Sequence, residues 1–522
     1  MVNQVTNRQC FVFGGEFMRL IAALIVFTLI FLSSPARADE LAELFGRGPI
    51  VSDAEMSPNG KLFAFTRHQD GEKLVVVMSL EEGVKRVLNA TKDKLHGYYF
   101  LDNEHLIITK SVTTRFTGYR GEYEVSVSFA SNIRTGNTVR LLLGTKDLAW
   151  PQTNLSRIVG PSPEPGHILM MTRFDDPNHG RINLVRVDLR NGKAHILRKG
   201  NPNTIDWFVD DQEVIHARED FSNDANKHVI RVLDGDDWKD LFKDKTDIID
   251  IGFLALSEDT KSFVAVEELP DGVSDGLFEV SLEDASWSEP KFVREGVSIR
   301  GVLTSRGKAY GVIYDGLKPS YAFYDPVLTE KFDILLKNFP DKAIHILSVT
   351  QDRSQFMLRF SGPKEAGRIY IFKPAELNID PLVDFYENLP VEKLASAAFH
   401  TVTARDGLEI STKVTLPPGV TDPKSLPAVV YPHGGPASLT KVGFDDFAQY
   451  FANNGYVVIQ PNFRGSSGLG MTFERAGDGK WGKEMQDDVT DALQHFVENG
   501  LVDPDRVCIV GHSYGGYSAL AG

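Results

Sequence analysis

Between Ser57 and about Phe372 apolar and polar residues alternate over short stretches, and no helical period is sustained. Each stretch follows a turn rich in Pro, Asn, Asp or Gly. The clearest copy is Ser57-Pro58-Asn59-Gly60 before Leu62-Phe63-Ala64-Phe65, where the turn residues set the dihedrals and the alternation gives one face to a core. Related phrases open at Leu101-Asp102-Asn103, Pro161-Ser162-Pro163, Val209-Asp210-Asp211, Leu256-Ser257-Glu258-Asp259, Thr304-Ser305-Arg306-Gly307 and Thr350-Gln351-Asp352. They recur about every 45 to 48 residues, with one step near 60, which is the period of four-stranded propeller blades. Seven phrases predict seven blades over residues 50–376, almost without helix. The alternative is an irregular sandwich whose turns are evenly spaced.

Asp380-Pro381-Leu382 and Asn388-Leu389-Pro390 read as strand breakers, so residues 377–396 are expected to be a linker. From His400 onward strands alternate with helices, as in an α/β sheet. Leu408 to Leu416, Pro427 to Tyr431 and Gly455 to Ile459 read as strands, and Phe444, Phe447, Ala448 and Phe451 share one helical face. Trp481, Met485, Val489, Leu493, Phe496 and Val497 recur at spacings near 3.6, with Asp487, Asp488 and Asp491 on what reads as a solvated face. Arg506 to Val510 is the next strand. Cys508 within it reads as part of an apolar strand rather than as a reactive thiol.

That strand runs into Gly511-His512-Ser513-Tyr514-Gly515-Gly516. A nucleophilic serine at a strand tip needs a sharp turn into a helix, with glycines two before and two after so that helix and strand approach without a side-chain clash. Gly511, Ser513 and Gly515 fit that demand, and Tyr517 to Ala521 can continue as helix. Upstream, Tyr431-Pro432-His433-Gly434-Gly435-Pro436 is a glycine loop after a strand, of the kind that lets backbone N–H groups point at a developing oxyanion. The expected donors are the amides of Gly435 and Tyr514. His433, opening that loop, reads as a loop-fixing hydrogen-bonding group rather than as the general base.

With these residues in hand, the chain resembles the prolyl oligopeptidase family of serine peptidases, and within it the acylaminoacyl peptidase branch. The matching text is His433-Gly434-Gly435-Pro436, Asn462 through Gly470, Trp481-Gly482-Lys483-Glu484-Met485-Gln486-Asp487-Asp488, and Gly511 through Tyr517. The resemblance implies a seven-bladed propeller capping an α/β-hydrolase domain and refusing folded proteins, so that short peptides are the substrates. It implies Ser513 as nucleophile, Gly435 and Tyr514 as oxyanion donors, and loop support from His433, Gly434, Arg464, Gly511 and Gly515. Where prolyl oligopeptidase itself has an oxyanion-binding tyrosine this chain has His433, so the resemblance does not by itself imply proline specificity. Some relatives grip a substrate N-terminus with paired propeller glutamates; the pairs Glu81-Glu82 and Glu267-Glu268 here read as solvated turns.

In an α/β-hydrolase the triad acid and histidine follow the serine in the chain. Gly522 stands nine residues after Ser513, and neither His495 nor His512 is a convincing base. The expectation is therefore a β-propeller followed by an incomplete α/β-hydrolase domain, residues 397–522, in an inactive fragment of a longer peptidase. A related esterase and an inactive peptide-binding propeller are the alternatives.

Charge and targeting narrow the setting. With 56 Lys and Arg against 71 Asp and Glu, the formal net charge of −15 repels a nucleic acid backbone. Met18-Arg19, the apolar run Leu20 to Leu32 and Ala36-Arg37-Ala38 compose an export signal cleaved after Ala38, which implies a periplasmic protein with no membrane span in the mature chain. Residues 39–49 then form a short N-terminal segment. The two cysteines, Cys10 and Cys508, cannot pair after cleavage. Phosphate-loop, zinc-helix and clustered Cys-His patterns are missing from the sequence, so neither cofactor nor metal is expected.

Overall fold

The computed structural model describes residues 40–522, except 92–93, 116, 118–119, 150–156, 175–180, 248, 250–251 and 388. The export-signal segment lies outside the described residues. The chain divides into compact units at 1–47 and 48–522. The first contains a helix, Glu40–Gly46, with Glu40 and Glu43 in its first turn. Among the described residues no helix is long and apolar enough to cross a membrane.

Residues 51–384 form six antiparallel sheets around a ring. Those over 51–89, 94–140, 158–198, 204–244 and 343–384 are four-stranded meanders in sequence order. The sixth has six strands, because two meanders, 253–281 and 299–323, are joined by a single parallel pairing of Leu256 with Lys308. The blades predicted from seven phrases are thus seven meanders in six sheets. Every phrase falls between the first and second strands of its meander. The chemistry of these turns repeats: Ser57 Oγ donates to Asn59 and accepts from Leu62 N–H, Ser257 does the same with Asp259 and Ser262, and Thr350 with Asp352 and Gln355.

Apolar side chains fill each gap between neighbouring meanders. Ala64 and Val75 meet Phe100 and Leu106, and Ile107 meets Ile168 and Met170. Leu184 then meets Trp207, Ala217 meets Phe263, Val264 meets Val312, and Tyr310 meets Phe356. Met56 and Phe63 close the ring against Met357 and Ile371. Among the described residues no strand crosses that seam, which is also joined by Gln351 N–H donating to Pro58 O at 2.9 Å.

Two departures from the expected propeller have local causes. A helix, Pro326–Asn338, follows the sixth meander, capped by Asp325 accepting from Val327 N–H, with proline in its first turn and Leu328, Phe332 and Leu335 buried. Asp380-Pro381-Leu382 does not break a strand but lies inside Asn378–Asp384, the outer edge of the last meander. Proline is tolerated there because an edge strand has N–H groups that no neighbour needs. Strand structure therefore extends into the residues expected to be linker, as far as Asp384.

The last quarter is a five-stranded sheet in the order Ala397–Thr403, Glu409–Thr415, Val457–Pro461, Leu426–Val430, Val502–Ile509. The first two contacts are antiparallel and the last two parallel. Val457, Val458 and Ile459 are completely buried, as expected for a strand covered on both faces. Helices Asp446–Asn453, Met471–Arg475, Glu484–Glu498 and Tyr514–Ala521 follow the connections. The helical-face reading needs trimming at its ends, since Phe444 and Trp481 precede their helices and Phe447 is exposed. Cys508 sits on the last strand, at the edge of the sheet among the described residues, with its side chain exposed.

Propeller and sheet domain meet through the segment that follows the glycine loop and through two helices. Lys441 pairs with Asp315 at 2.5 Å, Val442 N–H donates to Leu317 O at 2.9 Å, and Gln449 donates to Pro363 O at 2.9 Å. Arg475 pairs with Glu268, which stands at the end of strand Ser262–Glu268. The Glu267-Glu268 pair is thus not a solvated turn, whereas Glu81-Glu82 occupies an exposed turn.

Candidate active site

The Val502–Ile509 strand delivers the chain to Ser513, which stands at φ 53° and ψ −124° immediately before helix Tyr514–Ala521. A non-glycine residue held there costs about 1–3 kcal/mol and persists only when its surroundings enforce it. The enforcement is steric. A Cβ on Gly511 would lie 2.2 Å from the Gly515 carbonyl carbon, and one on Gly515 would lie 2.2 Å from Pro432 O. Only glycine lets the strand, the new helix and the Pro432 backbone come this close, and the turn leaves Ser513 exposed. Tyr514 turns the other way, into an apolar pocket with Val430, Phe463, Met485 and Val489.

The glycine loop lies against this turn. A Cβ on Gly434 would meet both Ser513 Cβ and His512 O at 3.3 Å, and Gly435 has φ 128°. His433 stacks on Phe463 with centroids 4.5 Å apart. Its Nδ1–H donates to Gly434 O at 2.8 Å, and Nε2 lies 2.9 Å from Ser466 Oγ. Burial pushes its pKa down, so the ring is neutral at pH 7. Both nitrogens are engaged with the loop rather than with Ser513.

Arg464 is anchored on two sides. Its Nε and one terminal nitrogen donate to Asp488 at 2.8 and 2.7 Å, the other terminal nitrogen donates to Asp406 at 2.7 Å, and Asp488 also accepts the Arg464 backbone N–H. The two carboxylates hold the guanidinium proton more tightly than usual. Asp488 is completely buried, which corrects its reading as part of a solvated face. The signal was in the helical phase: Met485, Asp488, Val489, Ala492 and Phe496 share the buried side. Asp487 and Asp491 instead face outward and pair with Arg405. Asp406, Asp488 and Ser466 are the members of this framework that sequence reasoning missed.

The constellation is a strained serine elbow, a glycine loop packed on it and a buried arginine clamp behind it. The sequence profile of the prolyl oligopeptidase family matches residues 442–521, which contain the elbow and the Arg464–Asp488 half of the clamp. Over these residues the chain is similar to the prolyl oligopeptidase family. Similarity to this family reaches beyond the profile match. Dipeptidyl aminopeptidase BIII of Pseudoxanthomonas mexicana is 26% identical over 513 residues, covering 94% of this chain and 71% of the relative. Dipeptidyl peptidase family member 6 of Caenorhabditis elegans is 29% identical over 223 residues, covering 39% of this chain and 30% of the relative. The structure of Pyrococcus horikoshii acylaminoacyl peptidase superposes with a TM-score of 0.60 at 16% identity, covering 92% of this chain and 76% of the other. That likeness shows the shared fold, a propeller with a family hydrolase region.

Proposed function

We propose that this chain is the propeller and nucleophile-bearing part of an exported serine peptidase that hydrolyses short peptides through an acyl-enzyme on Ser513. The observation that carries the reading is Ser513 at positive φ between Gly511 and Gly515, packed against the Gly434-Gly435 loop. In the first step Ser513 Oγ attacks the scissile carbonyl carbon, the Oγ proton passes to a base, and the negative charge on the carbonyl oxygen is met by the amides of Gly435 and Tyr514. The C–N bond then breaks, the amine leaves with the proton, and water releases the acyl group by the reverse sequence.

The base and its carboxylate partner belong to the part of the enzyme that follows residue 522. Both nitrogens of His433 are committed to Gly434 and Ser466, which supports a base from elsewhere. A propeller ring held to the site by the Lys441–Asp315 and Arg475–Glu268 pairs supports a restriction to short peptides. The names of the relatives, dipeptidyl and acylaminoacyl peptidases, favour the same substrate class. Export completes the proposal: protein recovered from the periplasm should begin at Asp39, and a mature chain retaining Leu20 to Leu32 would remove that part.

The test is turnover of dipeptidyl and acylaminoacyl anilides by a polypeptide extended past residue 522 through the triad acid and histidine. Ser513→Ala should lower kcat by about 10⁶, the loss typical of a triad nucleophile. Unchanged kcat in Ser513→Ala would overturn the assignment.

A further inference from the structure

The first strands of the meanders bound a cavity of about 470 Å³ in the propeller. Its lining comes from the propeller alone and is mixed in polarity, with an apolar part that includes Ile158, Leu347 and Val349. Set into that wall is a carboxyl group, Glu55. One of its oxygens accepts from Ser348 Oγ at 3.1 Å, and the other takes no hydrogen bond from the described residues. Beside it the hydroxyl of Tyr99, also on the cavity wall, is buried with no hydrogen-bond partner among the described residues.

A buried carboxylate without a cation is costly, and a buried hydroxyl without a partner costs about 1–3 kcal/mol. In the empty protein the first cost is avoided by protonation, since burial raises the Glu55 pKa to about 8. Tyr99 and Tyr310 on the wall are held protonated by burial, so Arg306 is the one other charged group among the described residues that line it. A group that brings positive charge and several N–H donors would satisfy Glu55 and Tyr99 together. Its carbon stem would meet the apolar wall.

We propose that this cavity binds a primary ammonium group on an alkyl stem, with Glu55 as its counter-ion and the Tyr99 and Ser348 oxygens as its further acceptors. A lysine side chain and a peptide N-terminus share that chemistry. The assignment is independent of the reading of Ser513.

Calorimetric titration of the 522-residue chain near pH 7 tests it, using n-hexylamine and the neutral analogue 1-hexanol. Hexylamine should bind saturably and at least tenfold tighter than hexanol, with release of close to one proton as Glu55 ionises. Glu55→Gln should lose at least tenfold in affinity and the proton release, while Ser513→Ala should change neither. Nα-acetyl-lysinamide and leucinamide then separate side-chain from N-terminal ammonium as the source. Should Glu55→Gln not fold, Tyr99→Phe keeps the test alive, with an expected weakening of about threefold. Equal binding of amine and alcohol, no proton release, unchanged affinity in Glu55→Gln, or loss of binding in Ser513→Ala would each overturn the proposal.

Discussion

The propeller and the sheet domain use short turns in opposite ways. In the propeller the same hydrogen-bonding device recurs at Ser57, Ser257 and Thr350, each time joining a first strand to a second. Such a turn fixes an architecture by repetition, and no single copy is decisive. In the sheet domain the turn at Ser513 occurs once, flanked by two glycines where an added Cβ would come within 2.2 Å of the backbone, and with a buried ion pair beneath it. One turn can be exchanged for its neighbour's chemistry; the other tolerates no change.

That contrast can be broken from the single-copy side first. Asp488→Ala leaves Arg464 largely buried with only Asp406, and a broken buried pair costs about 3–5 kcal/mol, so urea unfolding of the sheet domain should shift by that amount. Full retention of stability would mean that Arg464 finds water instead. Gly515→Ala drives a Cβ into Pro432 O and should destabilise the same domain by about 3 kcal/mol through forced backbone shifts, leaving the propeller transition in place.

In the propeller the expected effects are smaller per substitution or per pH unit, and of another kind. Glu55 has its folded pKa raised to about 8 from an ordinary 4.5, so the folded form holds a proton that the unfolded chain releases. Its contribution is fully present below about pH 4.5 and is lost as pH rises to about 8. Stability should therefore fall by about 1.4 kcal/mol per pH unit across the middle of that window. Melting curves should show this slope, and its persistence in Glu55→Gln would assign it to another group. Smallest of all, Ser257→Ala should cost about 1 kcal/mol, and Ser57→Ala the same within error. A much larger loss at one of them would end the equivalence of the turns.

Legibility followed the same divide. The repeating phrases were readable because each turn carries its own residues, and all seven mark the same position in a meander. The Pro326–Asn338 helix was missed although Asp325-Pro326 announces a capped start, because the strand phrases on either side set the expectation. Pro381 misled because a breaker inside a sheet and a resident of its edge look alike in sequence. At the site, the glycines and Ser513 were legible as a pattern of steric necessity. Asp488 was not, since a carboxylate on a helix reads as solvated until a partner 24 residues upstream folds over it. Asp406 pairs with the same arginine across 58 residues, a distance no local pattern spans.

The central proposal is that Ser513 is a nucleophile held ready by its turn and served by a base other than His433. Intact-mass and peptide-level analysis after exposure to a fluorophosphonate probe tests it directly. The 522-residue chain should label very slowly, and a chain extended through the triad acid and histidine should label rapidly, with the adduct at Ser513. Fast, stoichiometric labelling of the 522-residue chain would contradict the account and place the base within it, with His433 the first residue to replace.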